Sequence, residues 1–227
     1  MLFRSDWLGA DKIFEAYGGT EGGGGCAITG QEWLAKPGSV GKAVGGTIRI
    51  LREDGGEAAV GEVGEVHFPA AGRGKFSYIG ADAKTDATGG YSIGDLGHLD
   101  ADGYLFLADR RSDLILRGGA NVYPAEVEAV LDEHPQVSSS AVIGLPAEDL
   151  GERVHAIIQL REGEVLDLAA IVLHVGDRLS KYKRPASYEV SATPLRDDAG
   201  KLRRSALKSE RVAWLDAGRA FELSPEG

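Results

Sequence analysis

Sulfur is scarce in this chain, with one cysteine, Cys26, and one methionine among 227 residues. A single thiol excludes an internal disulfide and supplies no thiolate metal cluster. The five histidines, at 67, 98, 134, 155 and 174, show no metal-ligand spacing either. No apolar run approaches the roughly 20 residues that a membrane span needs, and MLFRSDWLGAD lacks the apolar core of a signal peptide. Together these absences predict a cytoplasmic chain without a transmembrane segment. Positive charge is also in deficit, with 25 Lys and Arg against 35 Asp and Glu and a net charge of −10. That balance argues against a nucleic-acid partner. Two further absences narrow the chemistry: there is no G-x-x-x-x-G-K-[ST] phosphate loop and no G-x-S-x-G nucleophile elbow.

What the chain does have is glycine, 33 in all, gathered at 18–25, 38–46, 55–64, 89–103 and 118–119. Such spacing suits tight turns between short strands. Hydrophobic residues make up 43% and charged residues 26%, enough to bury a core. Residues 1–110 read as β-rich, with alternation in TIRIL (47–51) and GEVHF (64–68). The clearest element is a hairpin over His98–Asp109, turning at D-A-D-G. Those aspartates suggest a calcium loop, but the third oxygen ligand and closing glutamate are missing. Beyond Arg110–Arg111 the pattern becomes mixed. A short strand over 113–117 ends at Gly118–Gly119, and a helix from Pro124 presents Val127, Val130, Leu131 and His134 on one face. Strands follow at 138–144 and 153–160, a helix at 167–179, a strand at 187–190 and a last helix at 203–212. The predicted fold class is α+β, with a boundary at 110–113 and no repeats.

Several motifs have both a chemical and an ordinary reading. Y17-G-G-T-E-G-G-G-G25 has no following lysine and no surrounding βαβ unit, so a turn is at least as good a reading as a nucleotide contact. Asp95 in Y91-S-I-G-D-L96 and Arg110 in D109-R-R-S-D113 could bracket a ribose from neighbouring strand ends, or form a structural ion pair. The Gly118–Gly119 pair admits a thin ligand, or belongs to an ordinary strand-to-helix loop with Asn121 as a turn residue. D198-A-G-K-L-R-R204 sets Lys201 on a glycine turn, either solvated or aimed at an anion.

The order of these motifs is more telling than any one of them. Y-G-G-T-E, G-E-V-G-E (61–65), G-D-L-G (94–97), D-G-Y-L, D-R-x-x-D-L-I, G-G-x-N-V-Y-P-A-E-V-E, H-P-x-V, K-Y-K-R-P (181–185) and G-K-L-R-R run in sequence from about Ile13 to Leu207. The chain resembles the adenylate-forming (AMP-binding) enzymes, a family of acyl-CoA synthetases, peptide-synthetase adenylation domains and luciferases. The resemblance implies ATP, Mg2+ and CoA as cofactors and a carboxylic acid, fatty, steroid or other, as substrate. The acid is first converted to an acyl-adenylate, and a thiol then displaces AMP.

Carried over by position, Glu15, Ala16, Tyr17, Gly18, Gly19 and Thr20 would lie beside the adenine and α-phosphate, with Glu21 near Mg2+. Asp95 and Arg110 would hold the ribose, Ser112 would be a hinge, and Gly118, Gly119 and Ala120 would line the pantetheine tunnel. Lys201 would neutralise charge in the adenylation transition state. Tyr91, Ile93 and Ser112 stand where Trp, Thr and an Asp or Lys are usual, and none removes a charge assigned to ATP. The stretch E32–G41 looks most like the bile-acid, steroid and related CoA ligases.

The resemblance also implies a missing part. The family's Ser/Thr/Gly-rich loop ending in Pro-Lys-Gly, and most of the acyl pocket, would lie upstream. Residues 1–110 are therefore expected to be the β-rich tail of a large AMP-binding domain, and 113–227 the complete small domain. The expectation is a C-terminal portion inert by itself, with apolar surface open to a missing N-terminal chain or to self-association, and with the region before Ile13 poorly ordered or swapped. Two alternatives stand beside it: a non-catalytic CoA- or partner-binding module, and an adenylation domain that loads a carrier protein.

Overall fold

In the computed structural model, residues 8–18, 24–69, 88–198 and 200–225 are described. The chain divides into two compact units, Met1–Arg111 and Ser112–Gly227.

The first unit is built on seven antiparallel strands. They are β1 (Phe14–Gly18), β2 (Gly25–Thr29), β3 (Ser39–Val44), β4 (Arg49–Leu51), β5 (Gly64–Phe68), β6 (Tyr91–Leu99) and β7 (Tyr104–Arg110), in the spatial order β1-β2-β3-β7-β6-β5-β4. Cys26, Ile48, Ile50, Val66, Phe68, Tyr91 and Leu105 form the core. The rings of Phe68 and Tyr91 stack at 5.4 Å between centroids, so the departure at Tyr91 is a core aromatic. Burial pushes the Cys26 thiol up to about 12. Phe14, Val44 and Val60 stay exposed.

The β6–β7 hairpin turns at Asp100–Gly103 as expected. Asp100 Oδ1 accepts the N–H groups of Asp102 and Tyr104, both at 2.9 Å. Gly103 provides the positive φ (+81°) that the turn requires. The calcium alternative meets a competitor, because the Lys36 ammonium donates to Asp100 at 2.7 Å and Asp102 at 2.6 Å. Lys36 thus supplies the cation, and both hydrogen bonds raise its pKa. A short helix, α1 (Gly30–Ala35), was not apparent from periodicity. Thr29 and Glu32 close a capping box at its start, so Glu32, part of the E32–G41 stretch, has a structural task.

The second unit alternates strands and helices. It contains β8 (Ile115–Arg117), β9 (Ala120–Val122), α2 (Pro124–Asp132), β10 (Val137–Ala147), β11 (Gly151–Leu160), α3 (Leu168–Arg178), β12 (Ser187–Val190) and α4 (Arg204–Asp216). The sheet order is β10-β11-β8-β9, with β12 parallel to β11. Period-two alternation sends Val142 to one face and Ala141 and Ile143 to the other. The Val142 face packs with Val127 and Leu131 of α2 and Ile171 and Val175 of α3. The opposite face meets Leu207, Val212 and Leu215 of α4. The result is α+β, a sheet sandwiched between helices.

Three local readings need correction. Asn121 is not a turn residue: it lies in β9, paired with Leu116. The Gly118–Gly119 segment is the two-residue tip of the β8–β9 hairpin, not a strand-to-helix loop. His134 falls beyond the end of α2, where its backbone N–H donates to Leu131 O. Helical spacing reached it, but the chain had already turned.

Candidate functional site

In the first unit, register brings Asp95 and Arg110 opposite each other across β6 and β7. Asp95 is buried at 6% exposure. Arg110 Nε stands 3.4 Å from Asp95 Oδ1, with its side chain two-thirds exposed (66%). The Tyr17 hydroxyl, 78 residues earlier, donates to Asp95 Oδ2. Burial raises the Tyr17 pKa, and the bond to Asp95 raises it further, so the phenol keeps its proton as a donor. Among the described residues each Asp95 oxygen therefore has one side-chain partner and retains lone-pair capacity for another. A buried carboxylate held this way, beside an accessible guanidinium, can accept hydrogen bonds from vicinal hydroxyls.

Tyr17 and Gly18 are at the end of β1, paired with Cys26 and Gly25, so this part of the motif is strand and not free turn. A Cβ at Gly25 would come within 2.4 Å of Tyr17 O, which explains glycine at this point of the β1–β2 ladder. Glu15 and Ala16 are exposed on β1. Gly19, Thr20 and Glu21 lie outside the described residues. Among the described residues, no group of three or more His, Cys, Asp or Glu side chains could hold a metal ion.

In the second unit, Lys201 rides a tight loop. Asp197 Oδ1 accepts the Lys201 N–H at 2.9 Å, and Asp197 N–H donates to Lys201 O at 3.1 Å. Arg196 and Leu202 bridge the loop's base, and Gly200 takes φ +75°. Leu195 and Leu202 root that base in the core. The Lys201 side chain is exposed and makes no ion pair among the described residues. The loop thus holds out an ammonium with no ion-pair partner among the described residues.

Behind it, Arg204 opens α4 and is tied in place, a role that the sequence reading missed. Its Nη2 and Nε donate to Glu128 at 2.5 and 3.0 Å, and Nη1 donates to Asp113 at 3.2 Å. Glu128, nearly buried, also accepts the Val142 N–H at 2.8 Å. Asp113, Arg204, Lys208 and Ser112 line a hollow of about 170 Å3. Ser112 begins this unit, exposed, with its hydroxyl donating to Asp113 at 3.1 Å.

Gly118 and Gly119 both have positive φ, +56° and +81°. Two such residues define the type I′ turn that suits a two-residue hairpin. A Cβ at Gly119 would meet nothing within 4 Å, so backbone conformation, not crowding, calls for glycine there. Ala120 follows in β9, paired with Arg117.

Residues 126–198 match the AMP-binding enzyme C-terminal domain. The chain is 42% identical over 200 residues to a 2-succinylbenzoate–CoA ligase of Geobacillus kaustophilus, covering 86% of this chain and 41% of that protein. It is 36% identical over 205 residues to a long-chain-fatty-acid–CoA ligase of Mycobacterium tuberculosis, covering 89% and 41%. Among solved structures, the o-succinylbenzoate CoA synthetase of Bacillus subtilis, in complex with its acyl-adenylate intermediate, superposes with a TM-score of 0.77. It is 34% identical, and the match covers 91% of this chain and 43% of that one. The chain therefore spans about two fifths of the length of the curated relatives that it matches.

Proposed function

Because the chain belongs to the AMP-binding, adenylate-forming enzyme family, we propose that it forms the C-terminal portion of an AMP-forming acyl-CoA ligase. In the first step, a carboxylate oxygen of the acid attacks the α-phosphorus of ATP. A new P–O bond forms as the bond to pyrophosphate breaks, giving the acyl-adenylate. In the second, the CoA sulfur attacks the acyl carbon, its proton passes to solvent, and AMP leaves. The acid is proposed to be of the general kind named for the relatives, a long-chain fatty acid or an aryl-substituted acid such as 2-succinylbenzoate.

The observation that carries this reading is Lys201, an exposed ammonium with no ion pair among the described residues, on a loop braced by Asp197 and the Arg196–Leu202 bridge. Its charge would meet the negative charge gathering between the α-phosphate and the attacking carboxylate, the kind of term that dominates many enzymic accelerations. Asp95, oriented by Tyr17 and Arg110, would accept from the ribose hydroxyls. Ser112 is proposed as the hinge residue, and the Gly118–Ala120 turn as a wall of the pantetheine path. Mg2+ would accompany the phosphates through Glu21 and supply counter-charge there. The exposed Phe14, Val44 and Val60 support a further portion that covers the first unit.

Joined to the upstream portion that its relatives carry, Lys201→Ala should slow acyl-adenylate formation by about 100-fold or more. Thioester formation from synthetic adenylate should be spared. Equal loss in both half-reactions would remove Lys201 from the adenylation step. The chain alone, given ATP, CoA and the acid, should release no AMP. Steady release would show that no upstream portion is required.

A further inference from the structure

The two arginines behind Lys201 differ in what holds them. Arg203 has a side chain 70% exposed and reaches Asp197 at 3.4 Å. The Arg204 side chain is 17% exposed, and its guanidinium grips on two sides. Nε and Nη2 meet the two oxygens of Glu128, in the middle of α2, while Nη1 meets Asp113 Oδ2. Glu128 is itself pinned, since Oε1 also accepts the Val142 N–H of β10. Asp113 takes the Ser112 hydroxyl on its other oxygen. One planar fork thus joins the start of α4, the middle of α2 and the first residues of the unit. Arg203, at the N-cap of α4, makes no side-chain capping bond, so the neighbouring guanidinium takes over the anchoring of the helix start.

Asp197 and Gly200 shape the Lys201 loop from within, but its two ends decide where it stands on the unit. The first end is rooted by Leu195 in the core and by Arg196 Nε, 3.3 Å from Ser139 Oγ. The second end runs into α4, and Arg204 is three residues past Lys201, so their Cα atoms are at most about 11 Å apart. A shift at Arg204 is therefore passed on to Lys201 with little chain to absorb it. We propose that Arg204 is a positioning residue for the adenylation step, pinning the base of the Lys201 loop to Glu128 and to Asp113, beside the proposed hinge residue. It touches no reacting atom. For what Lys201 does, the proposal rests on the ligase reading; for what fixes the loop, it does not. Precision of this kind matters, because a misplacement of about 1 Å can cost roughly 100-fold in rate. A lysine at position 204 would keep the charge but lack the planar fork that spans both carboxylates.

The anchoring is tested in the chain alone. Arg204→Lys should lower the exchange protection of the Asp197 and Lys201 amides, both bonded within the loop, by about tenfold. The Ile157 amide of β11 should stay protected. Unchanged loop protection overturns the proposal, whatever the chain's chemistry. The consequence for the reaction is tested in the joined enzyme. Arg204→Lys should slow acyl-adenylate formation about tenfold at saturating ATP and acid, with KM for ATP unchanged and thioester formation from synthetic adenylate spared. In the Lys201→Ala background it should slow adenylation no further, because it acts through that lysine. Equal slowing of both half-reactions, or an additive loss in that background, also overturns the proposal. Full adenylation by Lys201→Ala would overturn the ligase reading itself, and that result is told apart because nothing at Arg204 has changed. Should Arg204→Lys fail to fold, Glu128→Gln, which keeps an oxygen for the Val142 N–H, carries the same expectations.

Discussion

Tyr17 of β1 reaches Asp95 of β6 although β2, β3 and β7 separate the two strands in the sheet order, and the consequence is a donor dedicated to one carboxylate oxygen. Tyr17→Phe removes that donor while keeping the ring. If Asp95 grips a ribose, AMP affinity of the joined enzyme should weaken by about 1 kcal/mol, roughly fivefold, measured calorimetrically. An unchanged affinity would reduce the phenol to packing. His134 offers a second residue-level expectation. Burial and the neighbouring His174 lower its pKa. The folded state thus favours the neutral ring, and the unfolded chain takes up the proton more readily as pH falls. Its contribution to stability is present above the unfolded value of about 6.5 and is lost as pH drops through the lower folded value. Urea midpoints of the wild type should decline over that window, and His134→Gln should flatten the decline. Charge-bearing candidates such as Asp95 and Lys201 were legible in the sequence because a local motif marks each, G-D-L-G for the first and a glycine turn for the second. Tyr17's hydroxyl bond and Arg204's grip on Glu128 and Asp113 were not, since neither leaves a local pattern along the chain.

Turns carry more of the fold's information than any helix does. Asp100–Gly103 and Gly118–Gly119 could be read as breaks because D-G and G-G pairs supply the positive φ that hairpins demand. By contrast α1, six residues long, is too short to show a period and is announced only by its Thr29–Glu32 cap. Gly119→Val places a β-branched residue at φ +81° with open space around it. The cost should be conformational, about 1–2 kcal/mol, read as a lower urea midpoint. No loss would mean that the hairpin relaxes into another turn. The Lys36 clamp yields a different expectation. Lys36→Met leaves Asp100 and Asp102 without their cation, and the β6–β7 hairpin should lose protection in hydrogen exchange. That loss should be smaller in high salt, where the unpaired carboxylates are screened.

With a separate core in each of its two units, the chain should register a core defect locally. Ile157, fully buried in β11, packs within the second unit alone. Ile157→Ala should destabilise that unit by about 2–5 kcal/mol. Calorimetry should show one thermal transition moving while the other, from the first unit, holds its temperature. A common shift of both would mean that the units melt as one. The alternating composition after Arg111 made this second unit legible as α+β, whereas the first showed only its hairpins, because β1 to β3 lack strict alternation. One buried atom has a practical consequence at this scale. The Cys26 thiol, sunk in the first core and pushed up to about 12, stays protonated and inert toward maleimides at neutral pH. A cysteine introduced at Val165, 81% exposed in the second unit, would then be the sole reactive handle. Fluorophores could be attached there without first deleting the native thiol, which makes the chain a ready substrate for single-molecule spectroscopy.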